Sequence, residues 1–441
     1  MKKVKKIPQI DGELGWYLTA ANREQKIGKR LKGKQTADFA VVGAGFAGIA
    51  VASRLKELFP EKSIALVEAL DIGQGTSGRN AGFVIDLPHN VDKTENSAAE
   101  DAQIYALNCF AIQKLSQQVE KLHIDCNWHK AGKYMAARES HNIAGLDEFE
   151  AMLKKRNFAY ERIKGDALAG KLGTNYYQEA IFTPDNILMN PAALVRGLVA
   201  ALENDGVTVY SNSPVIAFNY GAENMLQTVG GELRAKTLIT TMSSFTEENG
   251  LVKSKIAPLF TYGSLTGVLP DALWQEYFAD IEPWGLTSAH PAGTTVRVTP
   301  DRRVFIRNIL EYNRQQKSTA AMRQYCWRHH RAAFLARFPF LAEIDFEYTW
   351  GGILAVTRNR QGVFSKLRDN VYALCACNGV GVAKGTYSGY YLAEKIAGIN
   401  SKELEFIEKT NNPNFMPPEP FRGIGARGQI YINQRAAGLD I

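Results

Sequence analysis

The sequence predicts a two-domain α/β protein in which the first domain is interrupted and the second is a mainly antiparallel β-sheet. Three observations predict it. At 441 residues the chain exceeds one ordinary core. A strand–glycine loop–helix–strand unit occupies residues 38–69, around "VVGAGFAGIAVASRL". A second strand–glycine–helix junction, "CNGVGVAKGTYSG", follows at 377–389, beyond a long β-rich stretch. A chain that returns to the same pattern completes its first domain with residues from far downstream.

The elements follow in order. Residues 1–37 read as a lead-in, polar over 16–37, whose basic start is expected to be a solvated arm, with a loose membrane-surface contact as the alternative. "DFAVV" (38–42) is a buried strand, Gly43–Gly48 a turn, and a helix runs to about Leu58. "SIALVEA" (63–69) is the next strand, followed by the polar loop "GQGTSGRNAGF" (73–83). A long amphipathic helix covers roughly 97–122. "NPAALVRGLVAALENDGVTVYSNSPVIAF" (190–218) has proline at a helix start, a glycine stop and a strand. "GELRAKTLITTMSS" (231–244) is a hairpin arm running into a buried strand, and 256–310 is β-rich with a turn at Pro300-Asp301. Residues 318–338 are helical, 370–379 a buried strand, 386–398 a helix, and the last 40 or so an extended tail. The pattern assigns 38–90, 190–250 and 350–400 to a Rossmann-like nucleotide-binding domain, 91–189 and 251–349 to a substrate domain, and 401–441 to the tail.

Composition narrows the function classes. The net charge is +7, but residues 1–34 hold ten basic and three acidic residues, so the remainder balances at 42 of each. The body therefore needs no nucleic-acid partner. No apolar run approaches the ~20 residues of a membrane span, and no apolar segment follows the basic start, so a cytoplasmic protein is expected. Five scattered cysteines make no disulfide framework, and no zinc-ligand set is evident.

Gly43, Gly45 and Gly48 form G-x-G-x-x-G between a strand and a helix, with Glu68 closing the next strand. Gly43 permits the tight turn, Gly45 the approach of backbone to a pyrophosphate, and Gly48 close helix–strand packing. The helix N-terminus offers free N–H groups to phosphate. Glu68 accepts from an adenosine ribose, and it repels a 2′-phosphate by about 4 kcal/mol at ~4 Å and an effective dielectric near 20. The ligand is FAD or NAD rather than NADP. The second junction favours FAD: a helix start behind Gly379, Gly381 and Gly385 stabilises the negative charge that reduced flavin develops at its pyrimidine side. One loop then holds the diphosphate and the other the ring.

With these pieces assembled, the sequence resembles the D-amino-acid oxidase superfamily of FAD enzymes, most closely its gamma-glutamylputrescine oxidase and glycine/sarcosine oxidase type. The resemblance rests on "GWYLTA", the fingerprint at 43–55, "GTSGRNAGF", "NPAAL…GV", "TWGGILAVTRNRQGVF", "CNGVGVAKGTYSG" and "PPEPFRGIGAR". It implies oxidation of a C–N single bond in an amine or amino acid by hydride transfer to flavin N5, followed by imine hydrolysis, with oxygen, a quinone or a carrier as electron acceptor. It implies cofactor contacts from Gly43, Ala44, Gly45, Phe46, Ala47, Gly48, Glu68 and Ala69. Thr76, Ser77, Arg79, Asn80, Ala81 and Gly82 lie near the diphosphate and ring, and Val215 near adenine. Asn378, Gly379, Val380, Gly381, Val382, Ala383, Lys384, Gly385 and Thr386 line the pyrimidine end. Some relatives attach flavin through a cysteine just before the stretch matching "GGILAVTRNRQ"; Tyr348, Thr349 and Trp350 stand here, which implies non-covalent FAD.

The stretch 294–308 is the expected substrate roof. Paired as a hairpin, Val296, Val298, Val304 and Ile306 share one face and Arg297, Arg303 and Arg307 the other. An arginine face turned to the flavin selects a carboxylate; turned outward it is a solvated charged face. The resemblance implies Arg307 as the catalytic-site residue, since some relatives carry a residue beside the flavin at that place; Arg297, Arg303, Phe83, Tyr262, Trp350 and Tyr387 are expected substrate contacts. Two other functions fit the same motifs: a non-catalytic FAD-binding subunit of a larger complex, and an NAD-dependent dehydrogenase.

Overall fold

The computed structural model describes residues 1–88 and 97–441. The domain boundary expected at 90/91 lies outside them.

Two large sheets organise the described residues. The heart of the first is parallel, its neighbours running Thr208–Tyr210, Ile64–Val67, Gly33–Val42, Gly231–Thr240 and Val371–Cys375. Strands buried on both faces read as continuous apolar runs, as "FAVV", "IALV" and "VYALC" do. The contribution of residues 371–375 shows the chain returning to this sheet. The helices Phe46–Leu58, Pro191–Asn204 and Gly381–Ile396 share one apolar core beside the sheet. Pro191 opens its helix, and the Asn190 side chain caps it by accepting from Ala192 N and Ala193 N at 3.1 Å each.

The second sheet runs Phe346–Val356, Ala257–Thr266, Val304–Tyr312, Thr295–Val298, Trp284–Ser288, Lys133–Ala137, Glu179–Thr183 and Glu161–Lys164. Every pairing is antiparallel except that of Trp284–Ser288 with Lys133–Ala137. The helix Ala320–Arg337 packs on one face through Phe334 and Ala333, against Val296, Val298, Val304 and Ile306. The opposite face turns to the loop at 79–82, as the site geometry below shows.

The structure departs from the sequence reading in five places. The lead-in is not a solvated arm: Lys2–Lys3 pair with Val215–Asn219, Trp16 is buried, and the first long strand begins at Gly33 rather than 38. Residues 346–356 belong to the antiparallel sheet, so the crossing back comes after 356 and not at 350. The helix expected from 386 starts at Gly381. The tail is largely helical, over Lys402–Thr410 and Phe421–Ala436. Arg422 Nη1 donates to Ile256 O at 2.9 Å, Tyr312 hydroxyl donates to Glu419, and the buried Asp440 carboxylate accepts from Arg138 N at 2.7 Å. Tertiary contacts hold these helices where proline and glycine suggested an extended chain.

Candidate cofactor and substrate site

The first glycine loop is a cradle from which side chains are sterically excluded. Gly43 has φ +108°, and a Cβ there would stand 2.7 Å from Thr241 O. On Gly45 it would lie 2.5 Å from Ser77 Oγ, and on Gly48 only 1.9 Å from Gly43 O. The cap residue of the helix Phe46–Leu58 is Gly45, which brings no side chain of its own to the first turn and so leaves room there for an anion. Ser77 Oγ accepts from Phe46 N at 3.1 Å, tying the loop at 75–79 to the helix start. Glu68 accepts from Ala44 N at 2.9 Å and Leu70 N at 3.1 Å. Burial pushes its carboxyl up, opposed by those amides.

These groups surround one cleft, about 880 Å³ counting its open mouth. Of the expected cofactor residues, Gly43, Ala44, Gly45, Glu68, Ala69, Thr76, Ser77 and Val215 line it. So do Lys6, Ile7, Pro8, Thr241, Met242, Ser243 and Glu248, which the sequence reading missed. Residues 241–243 were open to discovery, because ligands sit beyond the carboxyl ends of parallel strands and Thr241 follows one. Nothing in the sequence marked Lys6. The glycine cradle, helix start and buried carboxylate fit the adenosine-diphosphate half of a dinucleotide.

Phe46, Ala47, Gly48, Arg79, Asn80, Ala81 and Gly82 are not part of this cleft wall. Arg79 is buried, and its guanidinium donates to the carbonyls of Gln74 at 2.7 Å, Gly351 at 3.0 Å and Asp11 at 3.2 Å. Burial pushes it down to about 10. Asn80 folds the turn, donating to Ser77 O at 2.6 Å and accepting from Gly82 N at 2.7 Å. Trp16 Nε1 donates to Asn80 O at 2.9 Å and Trp350 Nε1 to Arg79 O at 3.2 Å.

The second junction packs against the first. The helix Gly381–Ile396 lies against Phe46–Leu58: a Cβ on Gly385 would be 3.3 Å from Ala47 N, and one on Gly389 only 2.5 Å from Ala47 O. The two helix starts are therefore neighbours. Val382, Ala383 and Tyr387 are core, and Thr386 Oγ1 donates to Val382 O at 2.8 Å. Gly381 opens the helix, Val380 is its cap residue, and Gly379 has φ +94° with open space where a Cβ would stand. Asn378 shapes the turn, accepting from Thr357 N and donating to Arg360 O, both at 2.8 Å. Lys384 is pushed down by burial, with Cys377 beside it.

The 294–308 hairpin pairs Val296 with Ile306 and Val298 with Val304, while Arg307 opposes Thr295 and Arg297 opposes Phe305. The valine face carries the helix Ala320–Arg337; the other face carries Arg297 and Arg307. Arg297 is buried and donates from Nη1 to Ala81 O at 2.8 Å and Met189 O at 2.9 Å, so it holds the loop rather than awaiting a substrate. Burial pushes it down to about 9. Phe83 lies against Gly285, next to this arginine. Arg303 sits at the sheet's far end, bridged to Glu347 at 2.6 Å. Tyr262 lies on the helix face, its hydroxyl donating to Glu311 at 2.6 Å. Trp350 is 1% exposed and Tyr387 is core. Strand parity thus turns Tyr262 away from the loop-facing side of the roof, the sheet edge removes Arg303, and Tyr387 belongs to the helix core of the first sheet.

Arg307 differs. Gly263, which pairs with Trp350, also pairs with Arg307, so the arginine lies on the side that faces the 79–82 loop. Its Nε donates to Thr261 Oγ1 at 2.8 Å and its Nη1 to Thr295 Oγ1 at 3.1 Å. Both partners are neutral, and burial alone pushes the guanidinium down. Thr287, one strand beyond that of Thr295, has a buried hydroxyl without a partner among the described residues. Lys133, on the same side, is pushed down to about 8 by burial, with Asp86 its nearest opposing charge.

Fold and site together define a two-domain flavoenzyme class: a dinucleotide cradle on a parallel sheet, roofed by an antiparallel one. The chain belongs to the FAD dependent oxidoreductase family, which it matches over residues 38–395. It is similar to gamma-glutamylputrescine oxidoreductase of Escherichia coli K12, 22% identical over 93% of this chain and 96% of that one. It is likewise similar to the probable oxidoreductase OrdL of Haemophilus influenzae, 23% identical over 86% of each. Among solved structures, glycine oxidase from Geobacillus kaustophilus matches with a TM-score of 0.70 at 14% identity, over 83% of this chain and 96% of that one. L-amino acid deaminase from Proteus vulgaris matches at 0.67 and 17%, over 88% and 97%. These two show the shared fold. The protein is an FAD-dependent oxidoreductase. Among the described residues, no helix is long and apolar enough to cross a membrane.

Proposed function

We propose that this enzyme oxidises the C–N bond of an amine that carries a carboxylate, an amino acid or an N-substituted one, to an imine that water hydrolyses. The observation that carries this reading is Arg307: a half-buried guanidinium on the roof's inner face whose partners among the described residues are two hydroxyls and no carboxylate. A planar fork of donors in that state is matched by a substrate carboxylate. The names of the relatives, which act on gamma-glutamylputrescine, glycine and L-amino acids, agree with a C–N substrate.

FAD, when bound, supplies the two-electron acceptor for hydride from the substrate's α-carbon. The chain supplies the rest. Gly43–Gly48 and the helix start would hold the diphosphate, Glu68 the adenosine ribose, and the turn at Asn378–Val380 the pyrimidine end. Arg307 fixes the carboxylate and so the orientation of the α-carbon. Thr261 and Thr295 fix Arg307. The site needs no general base if the amine arrives unprotonated. The flavin is held without a covalent bond, and oxygen, a quinone or a carrier reoxidises it.

Anaerobic titration tests the reading. A panel of amines and amino acids should include members that bleach the flavin band at about 450 nm, carboxylate-bearing ones foremost; admitting air then reports on oxygen as acceptor. A flavin that no amine or amino acid reduces would refute it and leave a non-catalytic FAD-binding subunit.

A further inference from the structure

The first twelve residues cross the cofactor cleft from end to end. At one end Lys2 and Lys3 pair with Phe218 and Ala217, and Val4 N donates to Ile216 O at 2.9 Å. That strand begins at Val215, which lines the cleft. At the other end Gly12 bridges to Trp350, and Asp11 O accepts from Gly351 N at 2.9 Å and from Arg79 Nη1 at 3.2 Å. Asp11 carboxylate accepts from Ser318 N at 2.6 Å. Between these anchors Val4, Lys6, Ile7 and Pro8 line the same cleft as the glycine cradle. Pro8 restricts the backbone of the crossing segment.

The charges of the cleft are unbalanced for its ligand. Among the described residues lining it, Glu68 and Glu248 are carboxylates and Lys6 is the one cation. A diphosphate brings two more negative charges, and the helix start offers only about half a positive charge. Lys6 Nζ stands 3.8 Å from Glu248, a loose pairing, while the Glu248 carboxylate accepts from Lys5 N at 2.8 Å. Lys6 is thus tethered at the cleft with a flexible stem and a weakly held ammonium.

We propose that residues 2–12 are a strap that closes over bound FAD and that Lys6 is a ligand of its diphosphate. The proposal rests on the cofactor assignment. The strap joins the adenine edge of the first sheet to the loop-facing strand of the second, so the cofactor leaves only when the strap lifts. Lys6 makes that lifting dependent on charge.

The test uses the holoenzyme. Release of FAD on dilution is followed by recovery of flavin fluorescence, at low and high salt, for wild type, K6A, K6R and E248Q. Wild type should release faster as salt rises. K6A should release about tenfold faster or more at low salt, as loss of a charge-assisted hydrogen bond requires, and should lose most of its salt dependence. K6R should restore slow release. E248Q keeps an acceptor for Lys5 N but removes a competing charge, so it should release more slowly than wild type. Hydrogen exchange should show amides 2–7 and 9–12 protected in the holoenzyme and exposed once flavin is stripped. Wild-type release from K6A, or faster release from both K6A and E248Q, would overturn the diphosphate contact. Exchange in 2–12 indifferent to flavin would overturn the strap. A protein purified without flavin that took up none on incubation with FAD would instead refute the cofactor assignment.

Discussion

Replacing Arg307 by methionine should separate substrates by their carboxylate. The guanidinium has five N–H donors, and the structure assigns two, to Thr261 at 2.8 Å and Thr295 at 3.1 Å. A carboxylate seated on the remaining donors, ~4 Å between charge centres, gains about 4 kcal/mol at an effective dielectric near 20. Its own dehydration opposes part of this. Truncation of such buried pairs costs about 2–5 kcal/mol, and we take about 3. At 1.36 kcal/mol per decade, that is a loss of about a hundredfold in the second-order rate of flavin reduction. Methionine keeps much of the volume and removes the charge, so the fold should persist. The assay is anaerobic stopped-flow loss of flavin absorbance, with an amino acid that reduces the wild type and with its methyl ester. R307M should lose about a hundredfold with the acid and less than about threefold with the ester. Equal losses on both, or none on either, would refute carboxylate recognition by Arg307.

Three further outcomes are expected. Gly389→Ala places a methyl 2.5 Å from Ala47 O, forcing apart the two helices that bring the glycine loops together; it should cost about 1–3 kcal/mol, read from the urea midpoint, and lower flavin content. His330 is fully buried, with Nδ1 2.7 Å from Ser264 Oγ, and burial holds it down at about 3 against the usual 6.5. Its contribution is intact above about pH 6.5, and as pH falls toward 3 the unfolded chain takes up the proton first. Stability should therefore fall by up to about 1.4 kcal/mol per pH unit, a slope that urea unfolding of H330N between pH 6.5 and 4.5 should lack. Asp440→Ala removes the carboxylate that accepts from Arg138 N and Glu139 N at the start of the helix Ser140–Arg156; thermal unfolding should show a loss of about 1–2 kcal/mol, like that of a helix cap.

Much of the glycine-lined cleft was legible because its geometry is local. Three glycines, a helix start and Glu68 lie within one βαβ unit, and each residue type answers a constraint from its immediate neighbours. The apolar runs likewise marked the parallel strands, including the one that returns at 371. The hairpin's alternation correctly divided valines from arginines. It did not show that Arg297 would hold the carbonyls of Ala81 and Met189, that Arg303 would reach Glu347 at the sheet's end, or that Arg307 would keep neutral partners. Those outcomes depend on what stands opposite each guanidinium, which no periodicity encodes.

By itself the sequence determined the alternation of elements, the glycine turns and the sides of each strand, since steric limits on backbone and pleat act between residues close in the chain. Only the tertiary structure decided that the basic leader crosses the cleft, that the proline- and glycine-rich tail becomes helix, and that the helix starts at Phe46 and Gly381 stand side by side. In each case the deciding partners are distant in sequence, and their contacts outweigh a local preference of a few tenths of a kcal/mol to about one per residue.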